Sequence, residues 1–150
     1  MIAPMINTVS DARQFADSIK LPPLGARSWG PARAMAFHGF DDVNAYLKAA
    51  NGMCLAIAMV ETLEALDNVD AFLALEGIDG LFVGPSDFSI AWTKGERYDA
   101  KNDVLTPIFR DIADRCRKAG KFACSFGLDG AHARFLASLG FQFVAVGTDV

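Results

Sequence analysis

Basic stripes and long apolar runs are both missing from this sequence, and each absence narrows its possible function. Fourteen Lys and Arg against 18 Asp and Glu give a net charge of -4 with no basic cluster, so neither nucleic acid nor an anionic membrane surface is an expected partner. The longest apolar run, residues 53–60, is too short to cross a bilayer, and the first basic residue is Arg13, unlike the start of a signal peptide. We therefore expect a soluble, cytoplasmic protein that binds a small molecule.

Cysteine is also scarce. Cys54, Cys116 and Cys124 are odd in number and widely spaced, a pattern that fits neither a disulfide framework nor a zinc site. We expect all three to be reduced, with Cys54 and Cys124 serving as small core residues on strands.

Apolar residues are abundant, at 52% of 150 residues, which predicts one domain with a substantial core. Two continuous apolar runs, residues 54–60 and 80–83, are followed closely by carboxylates, Glu61 and Asp87. Continuous runs are typical of parallel strands buried on both faces. A strand, helix and strand crossover between them would place Glu61 and Asp87 side by side at the carboxyl ends of adjacent strands, where α/β folds keep their chemistry.

The amino-terminal third predicts a strand, two helices and a long loop. Residues 1–6 are an apolar strand, and Thr8 with Asp11 indicates a capping box that opens a helix over residues 9–19. The next segment, residues 21–33, is too rich in proline and glycine for regular structure. Because it carries Trp29 between two arginines, we expect an ordered pocket loop or subunit contact. A second helix is predicted over residues 41–50, with Val43, Tyr46 and Leu47 directed inward.

The remaining chain alternates helices and strands. Helices are predicted over residues 69–75, 104–116 and 129–139, strands over 122–126 and 141–146, and a surface loop over 91–103. The order is βαα-βα-βα-βα-β, with five parallel strands. Two architectures accept this order: an open doubly wound sheet, or part of an eight-stranded β/α barrel.

The two strand-end carboxylates predict a metal site. Mg²⁺ prefers oxygen ligands and is commonly held by one or two protein carboxylates plus substrate and water. The turn from Gly84 to Asp87 adds backbone N–H groups that could hold a carboxylate or phosphate. The alternative is that Glu61 and Asp87 are solvated turn residues, Asp87 serving as a helix N-cap.

Five segments together resemble the HpcH/HpaI aldolase family of class II, metal-dependent pyruvate aldolases. The matching segments run in the family's order and cover essentially the whole chain; they are Ala3-Pro-Met-Ile-Asn-Thr8, the proline-rich segment 22–31, Met59-Val-Glu-Thr62, Gly77-Ile-Asp-Gly-Leu-Phe-Val-Gly-Pro-Ser-Asp-Phe-Ser89 and Phe143-Val-Ala-Val-Gly-Thr-Asp149.

The resemblance implies a fold, an activity and a site. The fold is α/β, an eight-stranded β/α (TIM) barrel, of which residues 1–150 would be a single partial barrel domain of about five parallel strands, without the first three strands and the last helix. The metal ligands would be Glu61 and Asp87, holding Mg²⁺ or Mn²⁺, with Co²⁺ also possible. The substrate-binding residues would be Gly84, Pro85, Ser86 and Asp87 for the pyruvate carboxylate and Phe126 for its methyl group. The family's ring-like assemblies imply a homo-oligomer.

This chain departs from the family in its proton-transfer groups. The Arg and His that family aldolases use for catalysis come from the first three strands, so we assign no catalytic residue here. Neither His38 nor His132 lies in a matching motif, and we expect surface or packing roles for both. The predicted function is reversible cleavage of a 2-keto-4-hydroxy acid to pyruvate and an aldehyde. The alternatives are a citrate-lyase-like or decarboxylating member of the same superfamily, and a non-catalytic module that binds pyruvate and metal.

Overall fold

A computed structural model describes residues 1–147 of the chain. Thr148 and Asp149, which end the last matching motif, lie outside the described residues. In chain order the elements are β1 (Ile2–Ala3), α1 (Val9–Ile19), α2 (Ala32–His38), α3 (Val43–Met53), β2 (Ile57–Val60), α4 (Leu63–Asp67), α5 (Val69–Leu73), β3 (Gly80–Val83), α6 (Pro85–Trp92), a 3-10 turn (Asp103–Leu105), α7 (Thr106–Lys118), β4 (Phe122–Gly127), α8 (Gly130–Ser138) and β5 (Phe143–Val146). They alternate as predicted, with three additional short helices, α2, α4 and α6, and one 3-10 turn within residues 1–147.

The five strands form one parallel sheet in the order β1-β2-β3-β4-β5. Val60 on β2 is in register with Val83 on β3, and Phe126 on β4 is in register with Ala145 on β5. Each strand therefore lies beside its neighbour in sequence, and all carboxyl ends meet at one edge. The prediction of five parallel strands is confirmed.

Within residues 1–147, the helices that contact the sheet pack on one of its faces. Successive strand residues point to opposite faces, and the outer-face residues of β2 and β3, such as Ala58, Val60 and Leu81, join the main core with apolar residues of α1, α5, α7 and α8. The inner face forms a separate small cluster of Ile57, Phe82 and Cys124. A doubly wound sheet carries helices on both faces, so this arrangement is a half-barrel and excludes that alternative.

Several local predictions hold in detail. The capping box of α1 is present: the Asp11 N–H donates to Thr8 Oγ1 at 3.1 Å, and the Thr8 N–H donates to Asp11 Oδ2 at 2.8 Å. Cys116 and Cys124 are buried free thiols, and burial raises the pKa of each, to about 12 and about 11. Neither thiol ionises near neutral pH, which agrees with the packing role expected of Cys124.

Other local predictions were wrong. Cys54 is not on a strand but is the C-cap of α3, because β2 begins three residues later. Val43 and Leu47 are exposed, and only Tyr46 of the three predicted inward residues is buried. The helices α2 and α6 were not predicted, although a proline opens each: Pro31 is the N-cap of α2, and Pro85 is the first residue of α6.

A buried lysine, Lys20, connects several segments at the amino ends of the strands. The side chain of Lys20 is 1% exposed and lies 2.6 Å from Asp79 Oδ2. Its Nζ also donates to the carbonyl oxygens of Asn51 and Cys54, at 2.9 and 2.6 Å. Because this ion pair lies at the amino ends of the strands, it stabilises the fold away from the carboxyl edge, where the candidate site is located.

Candidate metal and substrate site

Glu61 and Asp87 lie at the carboxyl ends of neighbouring strands. Glu61 directly follows β2, and Asp87 is in the first turn of α6, which begins two residues after β3 ends. Since β2 and β3 are paired in parallel, both carboxylates lie at the same edge of the sheet. Their role as metal ligands stays a prediction.

Glu61 is a buried carboxylate with a fixed orientation. It is 3% exposed, and its Oε1 accepts a hydrogen bond from the Met5 N–H at 2.7 Å. Burial raises the pKa of Glu61, the Met5 hydrogen bond partly offsets that, and the negative charge of Asp87 raises it further. Glu61 is therefore not a solvated turn residue.

Asp87 is exposed, so it retains water on one side. It is also not the N-cap of α6, because Gly84 occupies that position. The site thus combines a buried, oriented carboxylate, Glu61, with an exposed one, Asp87, at the same edge of the sheet.

The other oxygen of Glu61 lies against Gly84. A Cβ added at Gly84 would be 2.9 Å from Glu61 Oε2 and 3.1 Å from Met59 Cε. The backbone of Gly84 has φ -95°, which any residue adopts, so glycine is needed here for space alone. Because Gly84 has no Cβ, Glu61 Oε2 can lie close to the backbone at the start of α6.

Gly84→Ala is expected to displace the Glu61 carboxylate and weaken divalent-metal binding by roughly tenfold or more, the scale of lost ligand orientation at metal sites. Titration with Mn²⁺ measures the affinity, and thermal unfolding checks the fold. The matched control is Gly52→Ala on α3, where an added Cβ meets nothing within 4 Å. Equal Mn²⁺ affinity in both variants would contradict the role given to Gly84.

Burial of Glu61 also predicts a dependence of stability on pH. Its folded-state pKa is raised above the ordinary value of 4.5, so its contribution to stability is full below about pH 4.5 and is lost as pH rises through the folded-state pKa. Glu61→Gln removes the buried charge and keeps an oxygen to accept from Met5. In metal-free protein we expect the free energy of unfolding of Glu61→Gln to exceed that of the wild type at pH 7.

The advantage of Glu61→Gln is expected to shrink on acidification toward pH 4, where Glu61 is protonated and both side chains are neutral. Urea unfolding of metal-free protein at pH 4, 5.5 and 7 measures it. A difference that stays constant across this range would show that the charge of Glu61 is not the cause.

Within residues 1–147, two backbone N–H groups in the first turn of α6 have no hydrogen-bond acceptor. Gly84 N–H donates to the Val60 carbonyl at 3.3 Å, and Pro85 has no N–H. The N–H groups of Ser86 and Asp87 have no acceptor within the helix. Of the four residues predicted to hold a carboxylate, only these two can donate backbone hydrogen bonds, while Gly84 and Pro85 shape the turn.

The loop after β1 positions Glu61, a role the sequence did not reveal. Met5 has φ 54°, in the left-handed region, which is uncommon for a residue with a side chain. Two residues on, the Asn7 side chain accepts from the Thr62 hydroxyl at 2.6 Å. Hydrogen bonds at Glu61 and at the adjacent Thr62 thus join the loops after β1 and β2. A non-glycine residue at positive φ is a form of local strain that often accompanies functional sites.

Phe126 lies on the inner face of the sheet. It is partly buried and packs against the cluster of Ile57, Phe82 and Cys124. Glu61 and Gly84 continue the same alternation beyond β2 and β3, so Phe126 supplies an apolar wall on the face toward which the site opens.

Neither histidine belongs to a group of three or more potential metal ligands within residues 1–147. His38 is exposed at the end of α2. His132 is 5% exposed in α8, and its Nδ1 accepts from the Leu128 N–H at 3.3 Å. Burial and the nearby Lys101 lower the pKa of His132, and Asp129 partly opposes them. The expected surface and packing roles agree with these positions.

The proline-rich segment is ordered and leads into α2. Trp29 meets the ring of Tyr46 edge-on, with centroids 6.0 Å apart. Together with Arg27 and Ala34 these residues line a surface cavity of about 300 Å³. The loop therefore lines a pocket, as predicted, while its ordering by assembly and a subunit contact there stay predictions.

The donor set fits a hard divalent cation. Within residues 1–147 no group of three or more His, Cys, Asp or Glu side chains is arranged around one point, so a site built wholly from protein side chains, as for structural zinc, is absent there. Two carboxylates with space beside them suit Mg²⁺ or Mn²⁺, which complete their coordination with water and substrate oxygens. Glu61 and Asp87 would hold such an ion.

A parallel half-barrel with carboxylates and free backbone donors at the carboxyl edge belongs to the class of β/α-barrel enzymes. The comparison with family models is specific: residues 1–150 match the model of the HpcH/HpaI aldolase/citrate lyase family. The chain belongs to this family, as its motifs indicated.

Similar proteins agree with that assignment. A hydroxypyruvate/pyruvate aldolase from Rhizorhabdus wittichii is 34% identical over 150 residues, which are 100% of this chain and 58% of the relative. A 2-keto-3-deoxy-L-rhamnonate aldolase from Salmonella paratyphi B is 36% identical over 99% of this chain and 55% of its own length. The chain thus spans little more than half the length of these relatives.

A solved structure shares the fold. The crystal structure of an HpcH/HpaI aldolase/citrate lyase family protein from Burkholderia cenocepacia matches with a TM-score of 0.81 at 28% identity, over 99% of this chain and 58% of that chain. None of the helices in the described residues is long and apolar enough to span a membrane.

Proposed function

We propose that this chain carries the metal- and pyruvate-binding half of a class II aldolase, which cleaves a 4-hydroxy-2-oxo acid reversibly to pyruvate and an aldehyde. The observation that carries the proposal is the pairing of Glu61 and Asp87 at one sheet edge with the free N–H groups of Ser86 and Asp87 beside them. A carboxylate and an adjacent keto oxygen need this combination of a cation and backbone donors.

The reaction breaks one carbon-carbon bond. The C4 hydroxyl loses its proton to a base, C4 becomes the aldehyde carbonyl, and the electron pair of the C3–C4 bond stays on the pyruvate fragment as an enolate. Protonation at C3 then gives pyruvate. Glu61 and Asp87 would hold a divalent cation, and such an ion would supply Lewis acidity for the negative charge on the keto oxygen.

The residues of this chain bind and orient the substrate. Ser86 and Asp87 donate backbone hydrogen bonds to the carboxylate of the oxo acid, at the positive end of α6. Glu61, held by the Met5 N–H, keeps its second oxygen directed toward Gly84. Phe126 presents an apolar wall that excludes water from the methyl carbon of pyruvate. The base and the enolate-stabilising Arg are not assigned to residues of this chain.

Binding and turnover together test the proposal. Calorimetry on a longer polypeptide, which contains this chain and the upstream strands implied by the family resemblance, should detect Mn²⁺ binding and pyruvate binding that requires Mn²⁺. Pyruvate release from a 4-hydroxy-2-oxo acid is followed with lactate dehydrogenase and NADH, in the same longer polypeptide. Absence of Mn²⁺-dependent pyruvate binding would refute the proposal.

The same assays separate the alternative functions. Equal amounts of pyruvate and aldehyde indicate an aldolase, whereas release of CO₂ from oxaloacetate indicates a decarboxylating member. Binding of metal and pyruvate without turnover in the longer polypeptide indicates a non-catalytic module.

A subunit contact through Trp29 belongs to the same proposal, since the surface cavity beside it is open to a partner.

A further inference from the structure

The segment between α6 and the 3-10 turn folds back on the candidate site, although its sequence indicates only a polar surface loop. Thr93 Oγ1 accepts from the Arg97 N–H at 3.1 Å and donates to the Arg97 carbonyl at 2.7 Å. On the other side, the Asp99 N–H donates to Ser89 Oγ at 3.1 Å, and Ser89 Oγ in turn donates to the Ser86 carbonyl at 2.7 Å. Both neighbours of residue 98 are therefore fixed to α6.

This anchoring brings Tyr98 to the first turn of α6. The phenol oxygen of Tyr98 lies 3.4 Å from Ser86 Oγ, while 58% of the tyrosine remains exposed. Ser86 is one of the two residues whose backbone N–H groups are free to hold a carboxylate. The phenol hydroxyl thus lies beside that cradle and keeps one side open to a ligand.

Tyr98 is an uncharged hydrogen-bond donor between two charged residues, Arg97 and Asp99. Arg97 is paired with Asp99 at 2.5 Å, so its guanidinium is occupied within the loop. A phenol can donate a hydrogen bond to an oxygen or accept one from a hydroxyl. Unlike a charged group, it distinguishes substrates by the position of their oxygen atoms. A tyrosine with only a solvent role would not need its backbone tied to the helix on both sides.

We infer that Tyr98 is a specificity-determining residue that donates a hydrogen bond to an oxygen on the aldehyde-derived half of the substrate. The inference rests on the proposed function. With the oxo-acid carboxylate on Ser86 and Asp87, the substrate atoms beyond C3 extend along the exposed side of the first turn of α6, beside Tyr98. The favoured substrates are those whose aldehyde portion carries a hydroxyl or carboxylate oxygen.

The test compares three stable 2-oxo acids by calorimetry on the Mn²⁺-loaded longer polypeptide that includes the upstream strands. Pyruvate has no atoms beyond C3, 2-oxopentanoate has only apolar ones, and 2-oxoglutarate carries acceptor oxygens there; none has the C4 hydroxyl that cleavage requires. Tyr98→Phe is expected to weaken 2-oxoglutarate binding by about three- to tenfold, the range for one hydrogen bond. Pyruvate and 2-oxopentanoate should bind the variant and the wild type about equally.

Glu96→Gln is the matched control, since Glu96 is exposed in the same segment and should leave all three affinities unchanged. Thermal unfolding verifies that Tyr98→Phe is folded. An unchanged ratio of 2-oxoglutarate to pyruvate affinity, or equal weakening of all three ligands, overturns the role of Tyr98 while the proposed function stands. Failure of pyruvate to bind the wild type with Mn²⁺ overturns both.

Discussion

Glu61→Ala and Asp87→Ala are each expected to weaken Mn²⁺ binding by about 100-fold or more. The residues behind metal ligands commonly contribute 10- to 100-fold to affinity, so loss of a ligand itself should exceed that range. No third protein ligand compensates within residues 1–147, where the structure contains no larger cluster of ligating side chains. Calorimetry or the paramagnetic signal of free Mn²⁺ measures the change.

The two ligands should differ in what their removal does to the apoprotein. Glu61 is buried and accepts from Met5, so Glu61→Ala removes a buried side chain and leaves the Met5 N–H without its acceptor. Asp87 is exposed, so Asp87→Ala should leave unfolding nearly unchanged. Glu64→Ala, which removes an exposed carboxylate from nearby α4, is the control. Unchanged Mn²⁺ affinity in both site variants would refute the metal site.

The strands β2 and β3 could be predicted because both are buried on both faces. Residues 57–60 and 80–83 contain no polar side chain, and continuous apolar runs of this kind specify parallel strands with little ambiguity. Their shared direction then brings Glu61 and Asp87 to one edge, whatever the helices between them do. The location of the candidate site could therefore be predicted from the apolar pattern of the two strands. The family resemblance then added the roles of individual residues.

Helix α6 could not be predicted with the same security. Its sequence, Pro85-Ser-Asp-Phe-Ser-Ile-Ala-Trp92, contains serines that favour turns and no strong apolar periodicity. It forms because Pro85 suits a first helical position and because Phe88 is fully buried against the ring of Phe109. Tertiary packing decided this element, and with it the number of free N–H groups at the site.

The contacts that orient the site are also invisible in sequence. The Met5 N–H reaches Glu61 from 56 positions away, and nothing in the type of either residue encodes that bond. The same holds for Lys20, whose pairing with Asp79 at 2.6 Å joins α1 to the start of β3. A lysine is almost never fully buried unless paired, and the sequence does not show that Asp79 lies beside Lys20.

The inner face of the half-barrel predicts how the 150-residue chain behaves when prepared alone. Ile2, Phe122 and Phe143 on that face are 44%, 44% and 53% exposed, and they line an apolar cavity of about 310 Å³ at the amino ends of the strands. Within residues 1–147, β1 and β5 each pair with one neighbour only. Apolar surface and open strand edges together favour association with another chain.

We therefore expect the 150-residue chain alone to self-associate or aggregate at micromolar concentration and to release pyruvate from a 4-hydroxy-2-oxo acid at or near background with Mn²⁺. Association should fall in Ile2→Lys and Phe143→Lys, because charges at open edges oppose strand pairing. Val104→Lys, at an exposed apolar residue outside the sheet, is the control and should associate like the wild type. Sedimentation velocity measures association, and the coupled assay runs beside the longer polypeptide. A monodisperse monomer that turns over substrate as fast as the longer polypeptide would show that residues 1–150 already contain the base and the enolate-stabilising group that the family resemblance assigns to upstream strands.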